Sequence, residues 1–563
     1  MPTPKPKKIR DLSASVPFFA VKKASDLISG LLALRTTFGP GPEQQKLDLL
    51  KQFPKTELKT KKDILTYHEH LLFMLAYPDS TAVQKAVTSE LKRLGKLFKD
   101  MEAKDPAGFY DVYHATGIAY SSVSWMPSVD ISAWMVDRFA KESIEPRFDD
   151  DFYGNLAEAL PMVVKPSQAD SLLDNDFEAE TWMDSVAGKY KVDHLRWINE
   201  QFLALNTTEP LRDKLFDEIG VDCDLKIDSF EASRTGNVLP CRNMHYQTGP
   251  LLKGVNIKDQ LAKPFLSFEK LKGRELASAI QSGRDSLCAR SRETDTVTYA
   301  DTVYRVELEH GIDIYLYEMR PNRKMPIENY LGYVGYKNGV PMAYGGSWIF
   351  LDRMEIGLNI FDSFRGGESA LAFVSLLRAY QRLFNSKRIL VPPYQFGENN
   401  PEGLKSGAFW FYYRLGFRPA DAKLKALADK EAEKIAKKKN YRTSIDVLKK
   451  FTVVPVELIL DDAYAKVDLR KLSAVAGKQN SSVITTPELK RMLGLTNLSG
   501  LEKASVDAVA PLVCIVPGIA DWSPVEKETL AEILKKKYTD ELNFTVEMGK
   551  HRKLIESWEK ILS

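Results

Sequence analysis

Paired cysteines are missing from this chain. Its four cysteines, Cys223, Cys241, Cys288 and Cys514, are widely scattered and form no C-x-x-C pair. That spacing argues against a zinc site or a disulfide framework and fits a reducing cytoplasm. Net charge is nearly absent too. At +3 on 563 residues, it gives no global electrostatic case for nucleic acid. Long apolar runs are lacking: the longest, Val509 to Ala520, is broken by Pro511, Pro517 and Gly518 and is too short to span a bilayer. The opening MPTPKPKKIRDLS is basic but has no apolar core of signal-peptide length. No internal repeat of fixed period recurs. Together these absences predict a soluble, cytoplasmic protein with neither membrane nor nucleic acid as its partner.

What is present is an ordinary globular composition, 44% hydrophobic, 28% charged and 10% aromatic. The length is too great for one core and predicts three or four domains, by the usual domain size. Residues 1–12 read as a disordered basic tail. From 13 to 219 apolar spacings of three and four predict a helical domain, with Val83, Val87, Leu91, Leu94 and Leu97 forming one stripe. Residues 220–295 read as a connector with turns and short strands, followed by a helix from Ser267 to Arg290. From Thr296 alternation replaces helical spacing and predicts a mixed sheet over 296–462. The hairpin in it turns at Asn338-Gly339, a pair that favours the primed turns matching strand twist. A lysine- and alanine-rich helical insertion covers 421–450, and 463–563 is helical again. The expected fold class is α+β and multidomain.

Chemistry concentrates between Tyr330 and Pro419. In the strand Met354 to Phe361, alternation puts Met354, Ile356, Leu358 and Ile360 on one face and Glu355, Gly357, Asn359 and Phe361 on the other. After it, Arg365-Gly366-Gly367-Glu368-Ser369-Ala370 leads into a helix. Paired glycines let a backbone approach a ligand, and free N–H groups at a helix start favour anionic oxygens. Arg365 adds a guanidinium suited to phosphate. A second strand from Arg388 to Val391 follows, then an aromatic helix ending in Tyr412-Tyr413-Arg414-Leu415-Gly416-Phe417.

This order resembles the GNAT superfamily of CoA-dependent N-acyltransferases. There a hairpin precedes a strand whose end and following turn bind the CoA pyrophosphate; a helix, a strand and a helix ending in Y-x-x-x-G-F come next. The resemblance covers about residues 296–420 plus 452–460. It implies a GNAT-like central domain that uses acetyl-CoA or another acyl-CoA as co-substrate, needs no metal, and acylates an amine; the helical domains, shaping the acceptor site, suggest a large acceptor such as a peptide or protein. By the same resemblance Tyr412 protonates the leaving thiolate and Glu355 is the base for the amine. The backbone of Asn359, Ile360 and Phe361 faces the pantetheine, and Arg365, Gly366, Gly367 and Ser369 cradle the phosphates. The sequence departs from the family at Glu368, which stands where a second small residue belongs, at Ser363, at Lys405 and at Pro419. A carboxylate at 368 repels pyrophosphate unless it points away or pairs with Arg365. Glu368 therefore marks the alternative, a non-catalytic GNAT-like binding or scaffold protein that has lost CoA. Aminoacyl transfer from charged tRNA, a third reading, gains little support from the net charge.

Other conspicuous residues have plainer readings. His68 and His70 stand two apart on a helix and point away from each other. Asp149-Asp150-Asp151 reads as a capped helix start, His245 as a satisfied loop histidine, and the run Lys423 to Lys439 as a solvated helix. Trp125, Met126, Trp134 and Met135 read as core of the helical domain.

Overall fold

The computed structural model describes residues 23–147, 158–159, 161–173, 183, 193–478 and 483–563. The expected basic tail at 1–12 and the run Asp149-Asp150-Asp151 lie outside the described residues. Helices fill residues 24–113, among them α1 (Lys61–Ala76), which is buried over nearly its whole second half. Three short strands, β1 (Ser122–Trp125), β2 (Ile144–Arg147) and β3 (Asp222–Lys226), then form an antiparallel sheet in the order β1-β3-β2.

The central element is a ten-stranded sheet. Its strands are β4 (Ser267–Lys270), β5 (Ala300–Leu308), β6 (Ile312–Met319), β7 (Asn329–Lys337), β8 (Val340–Phe350), β9 (Arg353–Ile356), β10 (Asn359–Ile360), β11 (Arg388–Val391), β12 (Arg418–Pro419) and β13 (Val456–Ile459). They lie in the order β12-β13-β11-β9-β8-β7-β6-β5-β4, with β10 beside β8. Helix α2 (Gly273–Cys288) connects β4 towards β5, α3 (Ser369–Phe384) joins β10 to β11, and α4 (Phe409–Arg414) precedes β12. Of the described pairings in this sheet, β9 with β11 alone is parallel. The protein is thus α+β, a large mixed sheet with flanking helices.

Two local rules shape the sheet near its middle. Asn338 and Gly339 have φ of +51° and +80°, the paired positive values a two-residue hairpin needs. A Cβ on Gly339 would stand 2.0 Å from the Leu239 carbonyl oxygen, so only glycine fits. At the other edge, β11 stops at Val391 because Pro392 and Pro393 have no N–H to continue a ladder. Its pairing with β9 therefore ends at Leu390 opposite Glu355. Beyond that point β9 and β10 keep following β8, with Asn359 opposite Tyr344. The two parallel strands part there, leaving a split at their C-terminal ends.

Each face of the sheet is covered differently. Leu371, Val374 and Leu377 of α3 pack on Met354, Ile356 and Ile389, and Phe73, Leu71 and Leu94 of the N-terminal helices belong to the same apolar cluster. On the opposite face Ala279 and Leu287 of α2 meet Val303, Tyr317, Val334 and Tyr336. The region of β1–β3 has its own core, with Val123, Trp197, Phe216 and Leu225. The helices after residue 463 form another, which Phe350 of β8 enters against Trp558.

Several expectations need correction. Residues 13–219 are not one helical domain: the helices up to about 113 share the sheet's core, while β1–β3 organise a separate one. Ser267–Lys270 is a strand paired with β5, not the start of a helix, so the central sheet begins before Thr296; Leu266-Ser267-Phe268-Glu269 alternates as a strand does. Thr296 itself lies in a short helix, Asp295–Thr298. Trp125 is in a strand, and Met126 is 69% exposed rather than core. Because Gly339 sits under a carbonyl at positive φ, Gly339→Ala should lower unfolding free energy by about 1–3 kcal/mol, measured by chemical denaturation; an unchanged midpoint would remove the turn from its structural role.

Candidate functional site

The split between β9 and β11 brings the chemistry-bearing residues together. Glu355 stands at the last paired position, opposite Leu390 along β11 and Trp348 along β8. Alternation turns it away from Met354 and Ile356, hence away from α3. It lines a cleft of about 870 Å³ with Trp348, Arg388, Pro393, Tyr464 and Arg470. Its carboxylate pairs with Arg353 at 3.0 Å, and Arg353 also reaches Glu328 at 3.3 Å. Trp348 is held flat by Tyr330, stacked at 4.2 Å. Arg388 pairs with Glu457 at 2.7 Å and lies 5.2 Å from the Tyr464 ring.

Tyr412 approaches the same split from the α3 side. It is 4% exposed and packed edge-on to Phe373, Phe396 and Phe417. Burial pushes its phenol above the ordinary tyrosine value, because a phenolate would be left without water. The hydroxyl reaches Gln395 Oε1 at 3.5 Å. Gln395 Oε1 also accepts from the Leu358 N–H at 3.1 Å, and the Gly357 carbonyl accepts from the Tyr333 hydroxyl at 2.8 Å. Gln395 therefore spans the gap where the ladder fails, satisfying the backbone that the departing β11 no longer can. Sequence reading missed Gln395 and Tyr333. The adjacent Pro392-Pro393 was the signal that this backbone would need a side-chain partner.

The glycine turn is half open and half covered. Arg365 and Gly366 are exposed, and Gly366, with φ of +79°, has open space where a Cβ would go. Gly367 is buried: a Cβ there would be 3.2 Å from both the Phe364 carbonyl and the Phe73 ring. The Tyr77 phenol lies 3.4 Å from the same point and against the Glu368 N–H. No side chain caps the start of α3, which leaves the N–H groups of Ser369 and Ala370 at the half-exposed edge of the turn. Arg365 pairs with Asp362 at 3.1 Å and with Glu402. Asn359 is exposed, Ile360 half-buried and Phe361 buried against Tyr344.

Glu368 is neither in the turn nor paired with Arg365. Its carboxylate points inward, 3.3 Å from the Lys337 ammonium, and accepts from the Leu252 N–H at 2.9 Å. Lys337 also donates to the His310 carbonyl at 2.6 Å. Both side chains are almost completely buried, and burial lowers the Lys337 ammonium below its ordinary value. The neighbouring Ser363, buried, donates its hydroxyl to Glu69, and its carbonyl accepts from Arg35 Nη2 at 2.6 Å.

Of the histidines flagged in the sequence, His68 and His245 are otherwise engaged. His68 Nε2 is 3.1 Å from Thr235 Oγ1, and His245 is tied through its backbone to Asn338. Among the described residues no helix is long and apolar enough to cross a membrane. No family model, curated protein or solved structure matches this chain.

The buried pair gives a stability test. Lys337→Met leaves the Glu368 carboxylate buried without a cation and should cost about 3–5 kcal/mol, read from denaturant unfolding. Adding Glu368→Gln should recover most of that loss. No recovery in the double variant would mean that Lys337 acts through packing alone.

Proposed function

We propose that the protein transfers an acyl group from an acyl-CoA, with acetyl-CoA as the reference donor, to an amine carried by a peptide or protein. The observation that carries this reading is the one parallel strand pair among the described residues, splitting beside a helix start that no side chain caps. A slot between parting strands admits a thin extended arm, and an uncapped helix start holds anionic oxygens. The reading rests further on the GNAT resemblance carried by Arg365 to Ala370, Arg388 to Val391 and Tyr412 to Phe417.

In this reading the amine enters by the cleft that Glu355 lines. Its nitrogen attacks the thioester carbonyl and forms the new C–N bond, and the ammonium proton passes to Glu355. The C–S bond then breaks, and the thiolate takes the Tyr412 hydroxyl proton, which solvent restores. The phosphates are held at Gly366, Ser369 and Ala370, with Arg365 released from Asp362 and Glu402. The cleft volume, about 870 Å³, suits several residues of a peptide better than a small amine. Glu368, turned inward onto Lys337, leaves the turn free of its charge.

A second reading is a binding or scaffold protein without catalysis. It draws on Gln395 bridging the slot and on Tyr77 covering part of the turn. The two readings separate by calorimetry with acetyl-CoA and longer acyl-CoAs: the enzyme reading expects saturable heat, and none at millimolar ligand, with no thermal shift, would sink it. Tyr412→Phe should then reduce kcat by about 100-fold with little change in affinity. Equal loss of affinity and turnover would remove Tyr412 from the acid role. Since burial raises the Tyr412 phenol, it stays protonated through pH 10, and no alkaline fall in kcat should trace to it; the kcat–pH profile of the wild type checks this.

A further inference from the structure

Two arginines just past the end of α2 face the split with no ion-pair partner among the described residues. The chain turns sharply there: Ser291 adopts φ of +52°, and the Arg290 and Arg292 N–H groups both return to the Leu287 carbonyl, at 2.9 and 3.0 Å. This hooked end presents Arg290 and Arg292 to β8 and β10. The Arg290 guanidinium lies over Phe361, 3.6 Å from the ring centroid. It donates one side-chain hydrogen bond, from Nη1 to the Ser286 carbonyl at 2.6 Å. Four of its five N–H donors therefore have no protein acceptor among the described residues.

The carboxylates that reach Arg290 electrostatically are Glu69 and Asp362. Both are engaged elsewhere, Glu69 with Arg234 at 2.6 Å and Asp362 with Arg365 at 3.1 Å. Arg234 adds repulsion, and burial with that repulsion pushes the Arg290 guanidinium below its ordinary value. Arg292 touches the Tyr344 phenol, which Tyr394 also approaches. Tyr344 stacks on Phe361 at 5.5 Å and sits opposite Asn359. Tyr394 follows Pro393, which lines the cleft beside Glu355. The arginines thus stand on the same side of the sheet as Glu355, at the mouth of the split.

Guanidinium groups without carboxylates, backed by an aromatic face and flanked by phenol hydroxyls, are the donor set for an oxyanion. We propose that Arg290 and Arg292, with Tyr344, form a binding site for a phosphate or carboxylate group of the ligand that occupies the split. In the acyl-transfer reading, on which its placement beside the acceptor cleft rests, that group belongs to the acceptor; the same chemistry in a CoA phosphate is the other source.

The test is calorimetric titration of the full chain with inorganic phosphate, at ionic strength held constant with chloride. The wild type should bind saturably. Arg292→Gln, an exposed position, should bind about ten-fold or more weakly with its melting temperature unchanged. Arg290→Lys, which keeps the charge but loses the fork, should fall between them. Equal phosphate affinity in wild type and Arg292→Gln would overturn the site. Acetyl-CoA titrations assign the source: affinity unchanged by Arg292→Gln gives the anion to the acceptor, and affinity lost with phosphate gives it to CoA. Phosphate binding that depends on Arg292, with no acetyl-CoA binding in any variant, would reject acyl transfer and leave the anion site standing.

Discussion

The contact between Lys337 and Glu368 sets the geometry around the site. A buried ammonium and a buried carboxylate are each costly alone, so the two must meet wherever the fold lets them. They sit at the tip of the β7–β8 hairpin and at the start of α3, and their meeting fixes where that helix begins. The next residue, Asn338, extends the joint: its amide donates to the Ala76 carbonyl at the end of α1 and to the His245 carbonyl, both at 2.8 Å, and its Oδ1 accepts from the His245 N–H. Two consecutive residues of one hairpin thereby tie the sheet, the helix after the glycine turn, the N-terminal helices and the connector. The same contact draws the Glu368 carboxylate inside, away from the exposed side of the turn.

Local patterns in the sequence foretold much of the sheet and little of what meets across it. Alternation from Val303 to Phe350 and the Asn338-Gly339 pair were legible because strands and primed turns are written in adjacent residues. The sharp end of β11 was legible in Pro392-Pro393, although its consequence, a split bridged by Gln395, was not. The partner of Glu368 lies 31 residues away, and nothing local announces it, so the carboxylate looked like an obstacle to anion binding. Phe73 and Tyr77 could not be foreseen over Gly367, because helical periodicity shows that a face is buried and never against what. The strand near Cys223 fell within the stretch read as turns and short strands, whereas those near Trp125 and Ile144 were hidden by the helices around them, their apolar residues too few for a period to emerge.

Around the split the two faces of the sheet have opposite characters. On the α3 side, Tyr412 is enclosed by phenylalanines, a dry setting that holds its proton in place. On the other side Glu355, Arg353, Arg388 and the arginines ending α2 line or border open space, and most of their charges are balanced in pairs. The exception is the pair at the hooked end of α2. An apolar pocket for a proton donor, set across a thin partition from a wet cleft rich in charge, divides the chemistry in two. In the acyl-transfer reading, proton supply to the leaving group belongs to one face and recognition of a polar ligand to the other.

The shared core of the N-terminal helices and the sheet also bears on time. Phe73 and Tyr77, which cover the turn, belong to an apolar cluster that runs from Leu27 to Val456. A rigid swing of α1 away from the turn would expose much of that cluster to water, at a cost comparable to unfolding the domain. What can move cheaply is a side chain outside that cluster, such as the exposed Arg365 guanidinium or the half-buried Gln395 amide. Exposed side chains change rotamer within nanoseconds, whereas domain hinges take microseconds to milliseconds. In the acyl-transfer reading, traffic through this site is gated by a few rotamers rather than by the opening of a lid.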